Sequence, residues 1–260
     1  MKIIVTGSEG FIGKALCREL RNRDVEVVGI DRVCGTEAAD VWHILAGGGI
    51  DAVIHLAAQT SVFNDDREQI LNDNIDAFVR VADACTAYGV RLVYASSSTA
   101  NPCNTTSMYG ISKHFDEQYA SIYCKNVIGV RLHNVYGPEP RKGTLLNILM
   151  NSEKVTLYNG GLNTRCFTYI DDVVEGLIYA IGCNSKLINI ANPQECTVKE
   201  FAEEVRKHNG VEIECVGEKR EFDNPCQEVD GSLFCVPLNY TPFSKGITKV
   251  FDYAEESEER

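Results

Sequence analysis

A tyrosine and a lysine stand four residues apart in Tyr109-Gly-Ile-Ser-Lys113, a spacing that puts a phenol and an ammonium on one face of a helix. A phenol is a poor base at neutral pH, its ordinary pKa being near ~10; a cation held beside it favours the phenolate and makes it useful in proton transfer. The same spacing also suits an amphipathic helix with a core tyrosine and a surface lysine, so the pair alone decides nothing. Upstream, Ser96-Ser97-Ser98-Thr99 follows directly on the apolar run Arg91–Ala95. In an open parallel sheet, ligands bind beyond the carboxyl ends of strands, where such hydroxyls are placed to hold the same substrate oxygen as the tyrosine. A second kind of chemistry is written in residues 3 to 13, Ile-Ile-Val-Thr-Gly-Ser-Glu-Gly-Phe-Ile-Gly. An apolar strand runs into glycines at 7, 10 and 13 and a helix pattern follows at once. Gly7 would make the tight turn, Gly10 would admit a pyrophosphate to the backbone, and Gly13 would let the helix pack on the strand. Asp31 closes the next apolar run, Glu26-Val-Val-Gly-Ile-Asp31, where a carboxylate would bond the ribose hydroxyls of a dinucleotide.

The elements that must position these groups alternate in type. Strands are expected at Lys2–Val5, Val25–Ile30, Ala52–Leu56, Arg91–Ala95 and Val127–Leu132, and helices at Phe11–Arg23, Arg67–Ala87 and Tyr109–Tyr123. Continuous apolar strands alternating with helices predict an α/β fold, a doubly wound parallel sheet of the Rossmann kind. The stretch between Asp31 and Asp51 is short, so one strand–helix unit is abbreviated. After Gly137-Pro-Glu-Pro140 the pattern changes, with helices at Leu145–Asn151, Asp171–Ile181 and Val198–Lys207 and strands at Val155–Tyr158 and Leu187–Ile190. Thr197 and Glu200 have the spacing of a capping box, and Ala254–Arg260 reads as a charged, frayed tail. Two parts follow: a nucleotide-binding domain over 1–138 and a smaller α/β substrate lobe over 139–260, the boundary approximate and the chain free to cross between them, with the ligand in the crevice between the lobes.

Bulk properties narrow the function classes. The formal charge of -12 argues against nucleic acid as a partner, because phosphate binding wants a basic surface. No run approaches the ~18 apolar residues that a membrane span needs. The first strand begins at Lys2, which leaves no room for a secretory signal and points to a cytoplasmic protein. The 11 cysteines form no C-x-x-C pair and the 5 histidines do not cluster beside them, so no metal site is expected. Cys17, Cys85 and Cys124 fall inside helix patterns, as reduced packing residues do.

Taken together, these segments resemble the extended short-chain dehydrogenases/reductases, most closely the NAD-dependent epimerase/dehydratase branch that includes UDP-galactose 4-epimerase. The resemblance rests on Thr6-Gly-x-x-Gly-x-x-Gly13, on Ile50-Asp-Ala-Val-Ile-His-Leu-Ala-Ala58, on Asn74-Ile75, and on Ser98, Tyr109 and Lys113. Arg131-Leu-His-Asn-Val-Tyr-Gly-Pro138 and Arg165-Cys-Phe-Thr-Tyr-Ile-Asp-Asp172 extend it to the substrate side. It implies NAD as cofactor, a nucleotide sugar as substrate, and a homodimer formed by the helices Arg67–Ala87 and Tyr109–Tyr123. Phe11 and Ile12 would give N–H groups to the pyrophosphate, Asp31 would select NAD over NADP, and Asp40 and Val41 would flank adenine. Leu56, Ala57, Ala58, Thr60 and Asn74 would line the cofactor, and Lys113 would bind the nicotinamide ribose and favour the Tyr109 phenolate. Ser98, Tyr109 and Lys113 would be catalytic, while Asn134 and Arg165 would hold the sugar diphosphate. Two departures stand out. The Asn101–Met108 segment is shorter than the family's, and Thr99-Ala100-Asn101 replaces the Thr-Asp-Glu with which the 4,6-dehydratases eliminate water. The expected activity is therefore a nucleotide-sugar 4-epimerase. A 4-ketosugar reductase is the alternative within the same chemistry, and a non-catalytic NAD sensor or scaffold the alternative outside it.

Overall fold

The computed structural model describes residues 1–62, 64, 66–220 and 223–258. Apolar runs too short for helices become buried strands, each followed by a helix that covers one sheet face. In chain order these are β1 (Lys2–Thr6), α1 (Phe11–Asn22), β2 (Glu26–Ile30), α2 (Val41–Ala46), β3 (Ala52–His55), α3 (Arg67–Ile70), α4 (Ala77–Tyr88), β4 (Arg91–Ser97), α5 (Met108–Tyr123) and β5 (Val127–Leu132). The chain goes on through β6 (Val135–Tyr136), α6 (Leu145–Asn151), β7 (Lys154–Leu157), β8 (Thr164–Arg165), β9 (Thr168–Tyr169), α7 (Ile170–Ile181) and β10 (Leu187–Ile190). It ends with β11 (Cys196–Thr197), α8 (Val198–Asn209), β12 (Glu212–Cys215), β13 (Phe234–Cys235) and α9 (Phe243–Glu258).

Seven strands form one sheet in the order β13-β10-β5-β4-β3-β1-β2, every neighbouring pair parallel. From β1 the chain winds first outward to β2 and then back past β1 to β3. The loops after β1 and β3 therefore part company and leave a crevice at the carboxyl end of the sheet. Leu16, Leu20, Val173 and Leu177 of α1 and α7 fill one face together with Ile3, Val5 and Ile54. Phe78, Val81, Leu92, Tyr94 and Ala120 fill the other, and Tyr136, Phe167, Phe201 and Ile247 make the separate core of the second lobe.

Some elements follow the sequence expectation, and two depart from it, the helix from Arg67 and the terminal segment. The stretch after Asp31 is abbreviated as expected: among the described residues no strand lies beyond β2, and short 3₁₀ turns at Arg32–Cys34 and Ala38–Asp40 lead into α2. The expected helix Arg67–Ala87 is interrupted at Leu71–Asp76, where the hydrogen bonding widens to the π pattern. The chain crosses between the two parts, as an approximate boundary allows: β10 and β13 complete the first sheet and α7 packs on it. The terminal segment is not frayed: α9 runs to Glu258 because Ile247 and Val250 bury in the second-lobe core, while Glu259 and Arg260 lie outside the described residues. The capping box forms as expected, with the Thr197 hydroxyl taking the Glu200 N–H at 3.0 Å and the Glu200 carboxylate taking the Thr197 N–H at 2.7 Å.

Candidate active site in the crevice

The glycine loop is built by close approach. Gly7 has φ +71, and a methyl group on it would lie 2.8 Å from the Ala57 amide nitrogen. A methyl on Gly13 would lie 2.0 Å from the Gly7 carbonyl oxygen, so α1 can pack where it does only without that side chain. Gly10 caps α1 with no side chain bonded to the first-turn N–H groups and no acidic residue in that turn. The N–H groups of Phe11 and Ile12 thus start a helix whose positive end is left for an anion, as a pyrophosphate requires. Beside it, the Asp31 carboxylate accepts the Glu9 N–H at 3.0 Å and the Val33 N–H at 3.0 Å, which fixes it at the end of β2. These residues fit a dinucleotide. Leu56, Ala57 and Ala58 continue from β3 as half-buried lining, and the Thr60 hydroxyl bonds the Arg141 guanidinium from across the crevice.

Other expected cofactor residues have protein partners. Asn74, fully buried, accepts the Gln59 N–H at 2.7 Å and donates to the Gln59 carbonyl and to the Ser112 hydroxyl. It clamps the loop after β3 onto α5. The Asp40 carboxylate closes a local turn on the Glu37 N–H at 2.8 Å, and Val41 is buried among Ile4, Ile30 and Val53.

The residues expected to be catalytic lie at the end of β4 and on the first turns of α5. Ser98 is buried at the start of a 3₁₀ turn, Ser98–Ala100, and α5 packs against that turn. A methyl on Gly110 would lie 2.8 Å from the Thr99 carbonyl oxygen, so the residue after Tyr109 is pressed directly on the serine turn. Ser107 caps α5 through the Gly110 N–H, and the Thr105 hydroxyl donates to the Thr99 carbonyl at 2.7 Å. The short Asn101–Met108 loop therefore holds the first turn of α5 against the serine turn. Lys113, one turn further on, is 2% exposed, and its ammonium bonds the Asp116 carboxylate at 3.1 Å. Beneath them His55 is fully buried, with Nδ1 at 2.7 Å from the Thr6 hydroxyl; burial, helped by the Lys113 charge, holds its pKa down at about 3.

The second lobe supplies the far wall. Arg165 pairs with Asp223 and donates to the Thr164 carbonyl at 2.7 Å, and burial lowers its pKa. Asn134, at φ +37, donates to the Gln227 side-chain oxygen at 2.8 Å, and the same oxygen takes the Ser98 hydroxyl at 3.2 Å. Gln227 thus joins the serine to the substrate-side asparagine. A cavity of about 510 Å³ opens beside it, lined by Cys166, Asn192, Glu195 and Cys226. Sequence reasoning missed Asp223 and Gln227, which lie in a stretch without apolar period where only their polarity could have pointed to them. It also passed over Asp116, whose burial three positions from the half-buried Tyr119 was not legible in the helix pattern. Among the described residues no group of three or more His, Cys, Asp or Glu could hold a metal ion, and all 11 cysteines are free.

Residues 3–191 match the NAD dependent epimerase/dehydratase family. The chain is 26% identical over 251 residues to the uncharacterised UDP-glucose epimerase YtcB of Bacillus subtilis, covering 76% of this chain and 79% of that one. It is 24% identical over 283 residues to a UDP-N-acetyl-alpha-D-glucosaminuronate decarboxylase of Bacillus cytotoxicus, covering 88% and 87%. Among solved structures, the UDP-glucose 4-epimerase of Thermus thermophilus in complex with NAD superposes with a TM-score of 0.82 at 23% identity, over 98% of this chain and 99% of that one. A glycine cradle shaped for a dinucleotide, a carboxylate at the end of β2 and a match over most of the chain agree: this protein belongs to the NAD-dependent epimerase/dehydratase family and takes NAD as its cofactor.

Proposed function

We propose that the chain is a nucleotide-sugar 4-epimerase that works through a transient 4-keto sugar. The observation that supports this reading is that β4 runs into the buried Ser98 turn, that α5, which carries Tyr109 and Lys113, packs on that turn, and that Ala100 and Asn101 stand where the 4,6-dehydratases carry Asp and Glu. Bound NAD supplies hydride transfer at its nicotinamide. Tyr109, as phenolate, takes the proton from the sugar 4-hydroxyl as C4 is oxidised, and Ser98 holds the same oxygen and relays the proton. Lys113 favours the phenolate and holds the nicotinamide ribose. Arg165 and Asn134 grip the diphosphate, so that the keto sugar can turn over while its nucleotide stays fixed. Reduction from the other face gives the C4 epimer and leaves the cofactor unconsumed.

We also infer that two copies pair through α5. Its outer face presents Ile111, Phe115 and Ile122 at helical spacing, and Ile122 is 69% exposed. Phe115, Tyr119 and Tyr123 stack along the same side. Such a stripe is more than isolated surface apolar residues and suits an isologous contact.

The test is Tyr109→Phe assayed with UDP-glucose and UDP-glucuronic acid deuterated at C4. Turnover should fall roughly 10²–10⁴-fold with NAD affinity little changed, and the wild-type product should keep its label at C4. Wild-type turnover in the variant would overturn the assignment, and loss of label to solvent would overturn the direct hydride return.

A further inference from the structure

We propose that Asp116 is a positioning residue for the reaction: its carboxylate holds the Lys113 ammonium from beneath and sets how much of that positive charge reaches Tyr109. The proposal rests on the reading of Tyr109 and Lys113 given above. Asp116 follows Lys113 by three residues on α5, with the lysine Nζ 3.1 Å from Oδ2 and side-chain exposures of 3% and 0%. Among the described residues this is the one hydrogen bond that Nζ makes. Two of its N–H groups are thereby left for the ribose and the phenol, and the ammonium is held in a single orientation.

The neighbouring carboxylate shows what a purely structural role looks like on this helix. Glu117 is saturated: one oxygen takes the Ser96 hydroxyl at 2.6 Å and the Arg131 Nε at 2.8 Å, and the other takes a second Arg131 nitrogen at 2.8 Å. Asp116 has no such set. Its Oδ1 is buried without a partner, a costly arrangement for a carboxylate whose only cation belongs to the reactive pair. A fold seeking stability alone would put an apolar residue there. The charge is kept where it acts on Lys113.

The titratable and charged groups around it are few. Lys113 and Glu117 flank it on α5, the Tyr94 phenol faces it from β4, His55 lies beyond Lys113 on β3, and Arg131 of β5 is bound to Glu117. Burial raises the Asp116 carboxyl to about 6 against the pull of Lys113. At neutral pH the aspartate is ionised and offsets part of the lysine charge. Below pH 6 it takes a proton, and the full charge of Lys113 falls on the phenol and the ribose.

Asp116→Asn keeps the shape and removes the counter-charge. The acid limb of kcat/KM should move down by about one pH unit, because an uncompensated ammonium favours the phenolate. Asp116→Glu should restore the limb towards its wild-type position, and KM for the sugar should change little in both. An Asp116→Asn profile superposed on wild type, in a background where Tyr109→Phe is inactive, overturns the proposal and leaves the catalytic reading intact. An active Tyr109→Phe overturns the catalytic reading itself. Should Asp116→Asn fail to fold, the Asp116 carboxyl carbon of the wild-type protein can be followed by NMR in ¹³C-aspartate-labelled protein. It should titrate near pH 6 without NAD and shift measurably when NAD engages Lys113; a carbon indifferent to NAD overturns the proposal.

Discussion

Asp31 shows how much a single side chain decides. Both of its oxygens are already committed to backbone N–H groups, at Glu9 and Val33, so the carboxylate cannot swing away when a ligand arrives. Arg32, the cation next to it, is tied to Glu37 and to Asp73 at 2.7 Å and does not offset it. A 2′-phosphate would meet an immobile negative charge within a few ångströms, which costs on the order of a tenfold or greater loss in affinity. Fluorescence titration should therefore show NAD binding at least tenfold tighter than NADP, and Asp31→Ser should narrow the gap; equal affinities in the wild-type protein would contradict this. Asp31 and the three glycines were legible in sequence because their roles come from local backbone geometry. Asn74 was legible as a position but not as a clamp, since its partners Gln59 and Ser112 are 15 and 38 residues away in sequence.

At the scale of elements, apolar continuity located the first five strands to within two residues, because a strand buried on both faces admits little else. The π-type widening at Leu71–Asp76 left no mark in the apolar period, as it changes hydrogen bonding without changing which face is buried. The strands also carry a cost that composition does not show. His55 ends β3 and His133 follows β5; both are fully buried, and burial holds them neutral, with pKa values lowered to about 3 and about 4. Histidine in the unfolded chain titrates near ~6.5 and aspartate near ~3.9. Between pH 6 and 4 the unfolded chain therefore binds two protons at these histidines that the folded chain refuses. The folded chain binds one at Asp116, whose raised value of about 6 works in the opposite sense. From these three groups the net is one proton, so their contribution to stability should fall by about 1 kcal/mol for each unit of acidification over that window. Urea unfolding at pH 6, 5 and 4 measures the slope. His55→Gln should make it shallower, and an unchanged slope in that variant would show that His55 does not contribute to it.

For the whole molecule, the reactive face and the outer face of α5 divide the labour of one helix: Lys113 and Asp116 point into the fold while Ile111, Phe115 and Ile122 point out. Sedimentation equilibrium should find two chains per particle, and Ile122→Arg should give single chains with the same circular dichroism; a wild-type monomer would refute the pairing. The expected boundary near residue 138 lies where the sequence pattern changes, and the chain afterwards returns to lay β10 beside β5 and β13 beside β10. No local signal announces a strand as short as Phe234–Cys235, because two residues cannot display a period.

That late return bears on how the protein comes into being. The sheet's outermost strand is supplied by residues 234 and 235, and Gln227, which ties Ser98 to Asn134, comes only a few residues earlier. During synthesis, the nucleotide half can collapse as soon as β5 has emerged, yet β10 waits with one edge bare until residues 234 and 235 have followed. Contacts this distant in sequence make for slow completion, so a nascent or C-terminally clipped chain would present a half-built sheet rather than a smaller version of the enzyme.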